Sequence, residues 1–462
     1  MQLSCHGRPA CKSWSLLAKD AFPESLPAPF WRGGLKRLPI LVQPYSSNLC
    51  VIICAMREQI VIVGAGQAAV QAVDTLRRKG FTGKLVVIGD EPSVAYQRPP
   101  LSKKYLAGAL ERDRLAIRPT HFYSDHAIDL RLGRRAVEIS RSDQRIRLDD
   151  ESQVAYDGLL LATGSRPRQL MAPGTDLAGV HYLRTVADVD RIRADLATGR
   201  RLVVVGGGYI GLEVAATARE LGHEVTVLEM AHRIMNRVTC PEISSFYAEE
   251  HLRRGVHIVC NARVAGMAAD GSSGRVRAVV TEDGAEHPAD VVVIGVGVAA
   301  VDELAQAAGL DCANGIVVDE HCRSSDPAIY AAGDCTSHPN LHYGRRLRLE
   351  SVDNAFEQAT SAALNLMGTA TVHDKVPWFW SDQFDLKLVI VGLCQEHDAV
   401  VTRGDRAARS FSACYLRDGE LIAIDTVNHP KDQMAARKLI AARARPNLAK
   451  LADPTVTLKD SV

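Results

Sequence analysis

The sequence predicts an α/β protein in which two copies of a strand, glycine turn, helix and strand unit are followed by a smaller α+β domain. Three observations carry that reading. Gly64-Ala65-Gly66-Gln67-Ala68-Ala69 and Gly206-Gly207-Gly208-Tyr209-Ile210-Gly211 are glycine fingerprints whose first glycines lie 142 residues apart. Each follows an apolar run, opens a helical pattern and has an acidic residue where the next apolar run ends, the layout of a Rossmann-like dinucleotide-binding unit. After Lys375 the texture changes to short alternating apolar runs and then a basic helical stretch, which reads as a separate α+β domain.

The elements follow in order. Gln59 to Val63 reads as a buried parallel strand, Ala68 to Lys79 as a helix ending at Gly80, and Leu85 to Ile88 as the second strand, with Asp90 and Glu91 at its carboxyl end. Leu202 to Val205, Ile210 to Leu221, Gly222 and Val225 to Leu228 repeat the pattern, and Glu229 takes the acidic position. Further strands are expected at Leu159 to Ala162 and Val291 to Ile294, each running into a glycine turn, Thr163-Gly164 and Gly295-Val296-Gly297. Ala328 to Ala332 leads into Gly333-Asp334 and returns the chain to the first unit. A helix is expected from Asp353 to Met367. The tail supplies strands at Lys387 to Val391, Ala399 to Thr402, Ser410 to Leu416 and Leu421 to Val427, then a helix from Lys431. The expected domains are 56–167 with 298–374, 168–297 and 375–462.

Bulk properties narrow the function. With 462 residues, and Lys plus Arg at 55 against Asp plus Glu at 54, the chain has room for two or three domains and no global field to recruit nucleic acid. No apolar run approaches the ~20 residues that cross a bilayer. The eleven cysteines are scattered without zinc-ribbon or Cys-x-x-Cys spacing, so no metal site is expected and a reducing, cytoplasmic setting is the simpler reading. Residues 1–55 carry six Lys/Arg against two acids and no sustained period. They read as an unstructured extension, from an upstream start codon or a basic transit segment. The Cys50/Cys54 pair within them is assigned no chemistry.

Each fingerprint has a physical logic. Gly64 and Gly66 let backbone approach a pyrophosphate, Ala68 and Ala69 keep the helix close to the strand, and the helix amino terminus faces the phosphates. Asp90, or less readily Glu91, would hold a ribose. In the second unit Gly206, Gly208, Tyr209, Ile210 and Gly211 make the turn and helix start, and Glu229 would bind the adenosine ribose and repel a 2'-phosphate, which favours NADH. Arg233 is the residue that would reverse that preference. Two dinucleotides in one chain suggest a flavin fed by a nicotinamide.

Four further motifs carry a family resemblance. Tyr96-Gln97-Arg98-Pro99-Pro100-Leu101-Ser102-Lys103, Ala162-Thr163-Gly164-Ser165-Arg166-Pro167, Tyr330-Ala331-Ala332-Gly333-Asp334 and Pro377-Trp378-Phe379-Trp380-Ser381-Asp382-Gln383 resemble the NADH-dependent ferredoxin reductases of Rieske dioxygenase and bacterial cytochrome P450 systems. The resemblance runs from Met56 to about the end of the chain, and its fold is glutathione reductase-like. It implies bound FAD, NADH as the reductant, and single-electron transfer to a [2Fe-2S] ferredoxin by an enzyme that is a monomer or weak dimer.

The resemblance also implies residue roles. Asp90 would bind the FAD ribose, Lys103 would lie near the flavin, Arg166 would contact FAD, and Asp334 would bind the ribityl chain. The helix beginning beyond Ser351-Val352 would point its positive end at the flavin pyrimidine edge. Lys103 and Glu213 would flank the meeting place of nicotinamide and flavin, as an access gate or as an inter-domain ion pair. Gly295 and Gly297 would make room for nicotinamide or close a strand, and Trp378 and Trp380 would shield the flavin or pack a core. Arg345, Arg346, Arg348, Arg403, Arg406 and Arg409 are expected to form a basic patch that meets an acidic ferredoxin. Dithiol reductases of this architecture carry a redox cysteine pair after the first unit, whereas Pro92 to Gly108 contains no cysteine. The acceptor would then lie outside the chain. The alternatives are a reductase for rubredoxin or a small acceptor, or a flavoprotein like apoptosis-inducing factor that binds NADH.

Overall fold

The structure, a computed structural model, describes residues 57–271 and 273–462 and, before them, the backbone of two short strands. Those strands, Leu41–Val42 and Val51–Ile52, pair antiparallel and belong to a unit separate from Arg57–Val462. The rest of the amino-terminal extension, with Cys50 and Cys54, lies outside the described residues.

Within Arg57–Val462 the duplication extends well past the fingerprints. One five-stranded sheet is all parallel, in the order Ile329–Ala331, Gly158–Leu161, Gln59–Val63, Lys84–Gly89, Ile128–Leu132. The second, also all parallel, runs Val180–Tyr182, Val291–Ile294, Arg201–Val205, Glu224–Leu228, Val256–Val259. The fingerprint strand is central in both. Its residues Ile60, Val61, Ile62 and Leu202, Val203, Val204 are almost fully buried, as parallel strands covered on both faces must be. Each unit also inserts a three-stranded antiparallel meander before its fourth long strand, at Ala136–Ala155 and Val264–Pro288.

The two units differ at one edge. The second sheet takes its edge strand, Val180–Tyr182, from the chain entering the unit. The first takes Ile329–Ala331 from the chain returning after the second unit is complete, as the Ala328 to Ala332 run suggested. The outgoing and returning chains meet as a short antiparallel ribbon, Ser165–Pro167 on Val298–Ala300.

The tail is a five-stranded antiparallel sheet, Trp378–Gln383, Leu386–Gly392, Glu420–Val427, Ser410–Arg417, Ala399–Asp405. The helix Pro430–Ala441 packs on it through the buried Ala436 and Ile440. On its other side Phe411, Tyr415 and Leu388 share one core with Leu212, Phe246 and Tyr247 of the second unit.

Helix boundaries shift by about one residue from the sequence expectation, for local reasons. The helix Gln67–Arg78 starts at once after Gly66, and Tyr209–Glu220 after Gly208. The third site helix is Val352–Leu366, because the Ser351 side chain caps it by accepting the Asn354 N–H at 3.1 Å.

Candidate functional site

Gly64 and Gly206 are held in the left-handed region at φ +108° and +112°. A Cβ on Gly64 would lie 2.1 Å from the Ala162 carbonyl oxygen, and one on Gly206 2.4 Å from that of Gly295. Gly211 is fixed by the same crowding, since its Cβ would lie 2.1 Å from the Gly206 oxygen. These glycines serve close packing of turn, helix and neighbouring strand. Ala68 and Ala69 are buried at the first helix, and Gly333 faces the Ala68 methyl.

Gly66 and Gly208 are different. Each is the amino-terminal cap of its helix, no side chain bonds the first turn, and neither first turn contains an acid. A Cβ on either would meet nothing within 4 Å. Two helices therefore present unfilled backbone donors and positive dipole ends to open space, which fits the pyrophosphates of two dinucleotides. Ile210 stands beside the second opening and is 44% exposed, an apolar side chain at a site that would cover it.

The acidic positions resolve unequally. Glu91 takes the Tyr96 hydroxyl and pairs with Arg98, which leaves Asp90 exposed with only a long contact to Arg135 at 3.8 Å. Glu229 accepts the Gly207 N–H at 2.7 Å on Oε2 and the Ala231 N–H at 2.8 Å on Oε1, so its charge is locked at the fingerprint. Arg233 instead turns inward and donates through Nη2 to the carbonyls of Asn236 and Thr239, at 3.0 and 2.9 Å.

Asp334 stands on the turn after Ile329–Ala331 and accepts from Ser165 Oγ at 2.7 Å and Arg184 Nη2 at 3.4 Å. Burial pulls the Arg184 guanidinium below its ordinary value while the Asp334 carboxylate opposes the shift. Gln358 Oε1, from the third site helix, accepts the Gly333 N–H at 2.8 Å and the Thr336 hydroxyl at 2.9 Å, fixing the turn. Val352 opens that helix, with Asp353 in its first turn. Arg166 lies apart from Asp334, exposed on the ribbon and paired with Glu303.

Between the two units Lys103 Nζ meets Glu213 Oε2 at 2.6 Å. Lys103 follows the short turn Pro99–Ser102 of the first unit, and Glu213 is buried on the second fingerprint helix. Ser102 Oγ donates to Oε2 at 2.5 Å, and Ser381 Oγ, from the tail sheet, donates to Oε1 at 2.7 Å. Three polar hydrogens thus converge on the Glu213 carboxylate, two at Oε2 and one at Oε1, the added hydrogen bonding that a buried ion pair requires. The Tyr209 ring packs in a tilted arrangement against Phe379, with centroids 4.9 Å apart. Trp378 and Trp380 stack on each other at 5.5 Å and pack at the edge of the tail core.

The basic patch is a correction. Arg403 is 3% exposed at its side chain and pairs with Asp432, and Arg346 donates to the carbonyls of Val318 and Ser337. Arg348 pairs with Glu350, Arg406 with Glu249, and Arg409 with Glu250 and Asp385. Arg345 faces Glu396 and Gln395. Five of the six arginines meet carboxylates, most of them from other segments, and Arg346 is spent on backbone carbonyls. Sequence reasoning also passed over Ser165, Arg184, Ser102, Ser381 and Gln358. Ser102, Ser165 and Ser381 lie inside the family motifs and are legible as polar neighbours of a site; Arg184 and Gln358 reach it only through tertiary folding.

Seven cysteines are described, all free. Among the described residues no group of three His, Cys, Asp or Glu gathers as a metal site, and no helix is long and apolar enough to cross a membrane.

Two dinucleotide units with the pair between them and a reductase-type tail define a class, and comparison with known proteins agrees. Residues 58–359 match the pyridine nucleotide-disulphide oxidoreductase family and residues 378–462 match the reductase C-terminal family; the chain belongs to the former. It is similar to rhodocoxin reductase of Rhodococcus erythropolis, 43% identical over 400 residues that cover 87% of this chain and 93% of the relative. It is also similar to putidaredoxin reductase CamA of Pseudomonas putida, 42% identical over 410 residues, 88% of this chain and 97% of the relative. Among solved structures it resembles the ferredoxin reductase for the CYP199A2 system from Rhodopseudomonas palustris. That likeness has a TM-score of 0.85 and 42% identity, and covers 88% of this chain and all of the other.

Proposed function

We propose that this chain is an FAD-dependent NADH:ferredoxin oxidoreductase that supplies single electrons to a [2Fe-2S] ferredoxin serving a cytochrome P450 or a Rieske oxygenase. The observation that carries this reading is the Lys103–Glu213 pair joining the two units, beside a Pro92 to Gly108 segment that has no cysteine to receive electrons.

The residues divide between two cofactors. Gly64, Gly66, Ala68 and Ala69 place the first helix end at the FAD pyrophosphate, Asp90 holds the ribose, and Asp334, Arg166 and Val352 serve the rest of the flavin side, with Trp380 at its edge. Gly206, Gly208, Tyr209, Ile210 and Gly211 hold the NADH pyrophosphate, Glu229 its adenosine ribose, and Gly295 leaves room beside them. FAD held there would supply the redox chemistry, hydride acceptance from NADH and release of single electrons. Arg184 and Ser165 orient the Asp334 carboxylate, and Lys103 with Glu213 controls access where the two cofactors meet. The inward turn of Arg233 supports NADH over NADPH. The sheet composition supports a split FAD domain, 56–167 with 298–374, around an NADH domain, 168–297, and a tail domain, 375–462. The free, scattered cysteines support a cytoplasmic setting.

The test is reduction of cytochrome c by the FAD-loaded protein and NADH, with and without a [2Fe-2S] ferredoxin. Turnover that depends on ferredoxin is expected. Equal turnover of small acceptors with or without it would replace this reading by that of a small-acceptor reductase.

A further inference from the structure

The edge strand of the tail sheet, Trp378–Gln383, lies against the second fingerprint helix in a regular register. Side chains two apart on a strand share a face. Here Phe379 packs on Tyr209, Ser381 bonds Glu213, and Gln383 reaches His251 on the next helix. The i, i+2 rise of the strand, about 6.8 Å, matches the i, i+4 rise of a helix, about 6 Å. Tyr209 and Glu213 are four apart on that helix.

The contacts form one buried chain of hydrogen bonds. Ser381, Gln383 and His251 are fully buried. Gln383 Nε2 donates to Ser381 Oγ at 3.1 Å, and Ser381 Oγ donates to Glu213 Oε1 at 2.7 Å. With its amide group committed to Ser381, Gln383 presents Oε1 to His251 Nε2 at 2.9 Å. That imidazole is the donor and is neutral, since burial lowers it to about 4. The direction of every hydrogen in the chain is therefore set, and all of them converge on the one carboxylate that also holds Lys103.

We propose that Ser381 is a positioning residue for the nicotinamide site. It fixes Glu213 against Lys103 and so keeps the pair closed, which makes the tail domain the element that sets how readily the nicotinamide end of NADH enters. The proposal rests on the NADH reading of the second unit and on the access role proposed for the Lys103–Glu213 pair. A ligand that binds only when the pair opens has its apparent affinity reduced by the fraction of closed protein. A charge-assisted hydrogen bond removed from the closed form shifts that fraction by about tenfold or more.

The experiment compares NAD+ with ADP-ribose, which fills the adenosine and pyrophosphate positions but has no nicotinamide, by calorimetric titration of the FAD-loaded full chain. S381A is expected to tighten NAD+ about tenfold and to leave ADP-ribose unchanged. Ser102→Ala, which removes the other hydroxyl on the same carboxylate, is expected to act in the same direction and gives the reading if S381A does not retain FAD. NAD+ affinity that is unchanged or weaker, or a shift shared equally by ADP-ribose, overturns the proposal. A wild-type protein that binds neither ligand overturns instead the NADH reading on which it rests.

Discussion

Replacing Gly208 with alanine separates a glycine that serves the fold from one that serves a ligand. Gly208 has φ −82° and ψ 179°, an extended conformation open to any residue, and a Cβ there meets nothing within 4 Å. The protein itself gives the methyl group no reason to be excluded. The expected loss of stability is below ~1 kcal/mol, the difference between glycine and alanine as an amino-terminal cap. If the open space holds the NADH pyrophosphate, the methyl group displaces phosphate oxygens from the helix donors. One or two charge-assisted hydrogen bonds at about 1.5–3 kcal/mol each are then lost, a weakening of about 10-fold to beyond 100-fold. Gly211→Ala is the contrast, because its Cβ would lie 2.1 Å from the Gly206 oxygen and the fold itself must give way. The assay is a urea melt beside the KM for NADH and the visible FAD spectrum. G208A with native stability, full FAD content and an unchanged KM would refute the assignment of the second fingerprint to NADH.

Two other perturbations follow from the same geometry. Glu229 is locked at the fingerprint by two backbone N–H groups while Arg233 is spent on carbonyls, so E229Q should lower the ratio of NADH to NADPH in kcat/KM about tenfold by removing a like charge; steady-state kinetics with both cofactors reads this. Asp425 is fully buried with a single bond, from the Tyr415 hydroxyl, and burial raises its carboxyl from 3.8 to about 7. Between those values the folded chain keeps a proton that the unfolded chain has released, so this group's stabilisation is complete at low pH and is lost as pH rises toward 7, at about 1.4 kcal/mol per pH unit. D425N should remove that slope, and urea melts of both proteins at pH 5 and pH 7.5 should show the mutant gaining relative to wild type at the higher pH.

The parts of the fold legible in the sequence are those fixed by local rules. Gln59–Val63 and Val291–Ile294 are near-continuous apolar runs, and fully buried parallel strands leave no other composition available. The glycine turns are legible because their backbone conformation excludes other residues. The meanders at Ala136–Ala155 and Val264–Pro288 are not legible because their strands are short and largely uncovered, with a single buried residue in each of Ala136–Ser140 and Val264–Ala269, so their composition resembles that of loops. The arginine patch failed for a related reason. A run of charges shows which residues are basic, but Asp432, Glu249 and Asp385 come to them from other segments. The Lys103–Glu213 pairing is legible through family resemblance, whereas Ser381, though inside the Pro377–Gln383 motif, lies 168 residues from Glu213 and only the folded chain joins it to that carboxylate.

The central claim is that one chain takes electrons in pairs from NADH and passes them singly to an iron–sulphur protein. Its most direct measurement is an anaerobic titration of a [2Fe-2S] ferredoxin with NADH in the presence of a catalytic amount of the FAD-loaded protein, following ferredoxin bleaching and NADH consumption together. The account predicts that about two equivalents of ferredoxin are reduced per NADH, because each cluster accepts a single electron. NADH consumed without ferredoxin bleaching, or bleaching that proceeds equally well without the protein, would contradict it.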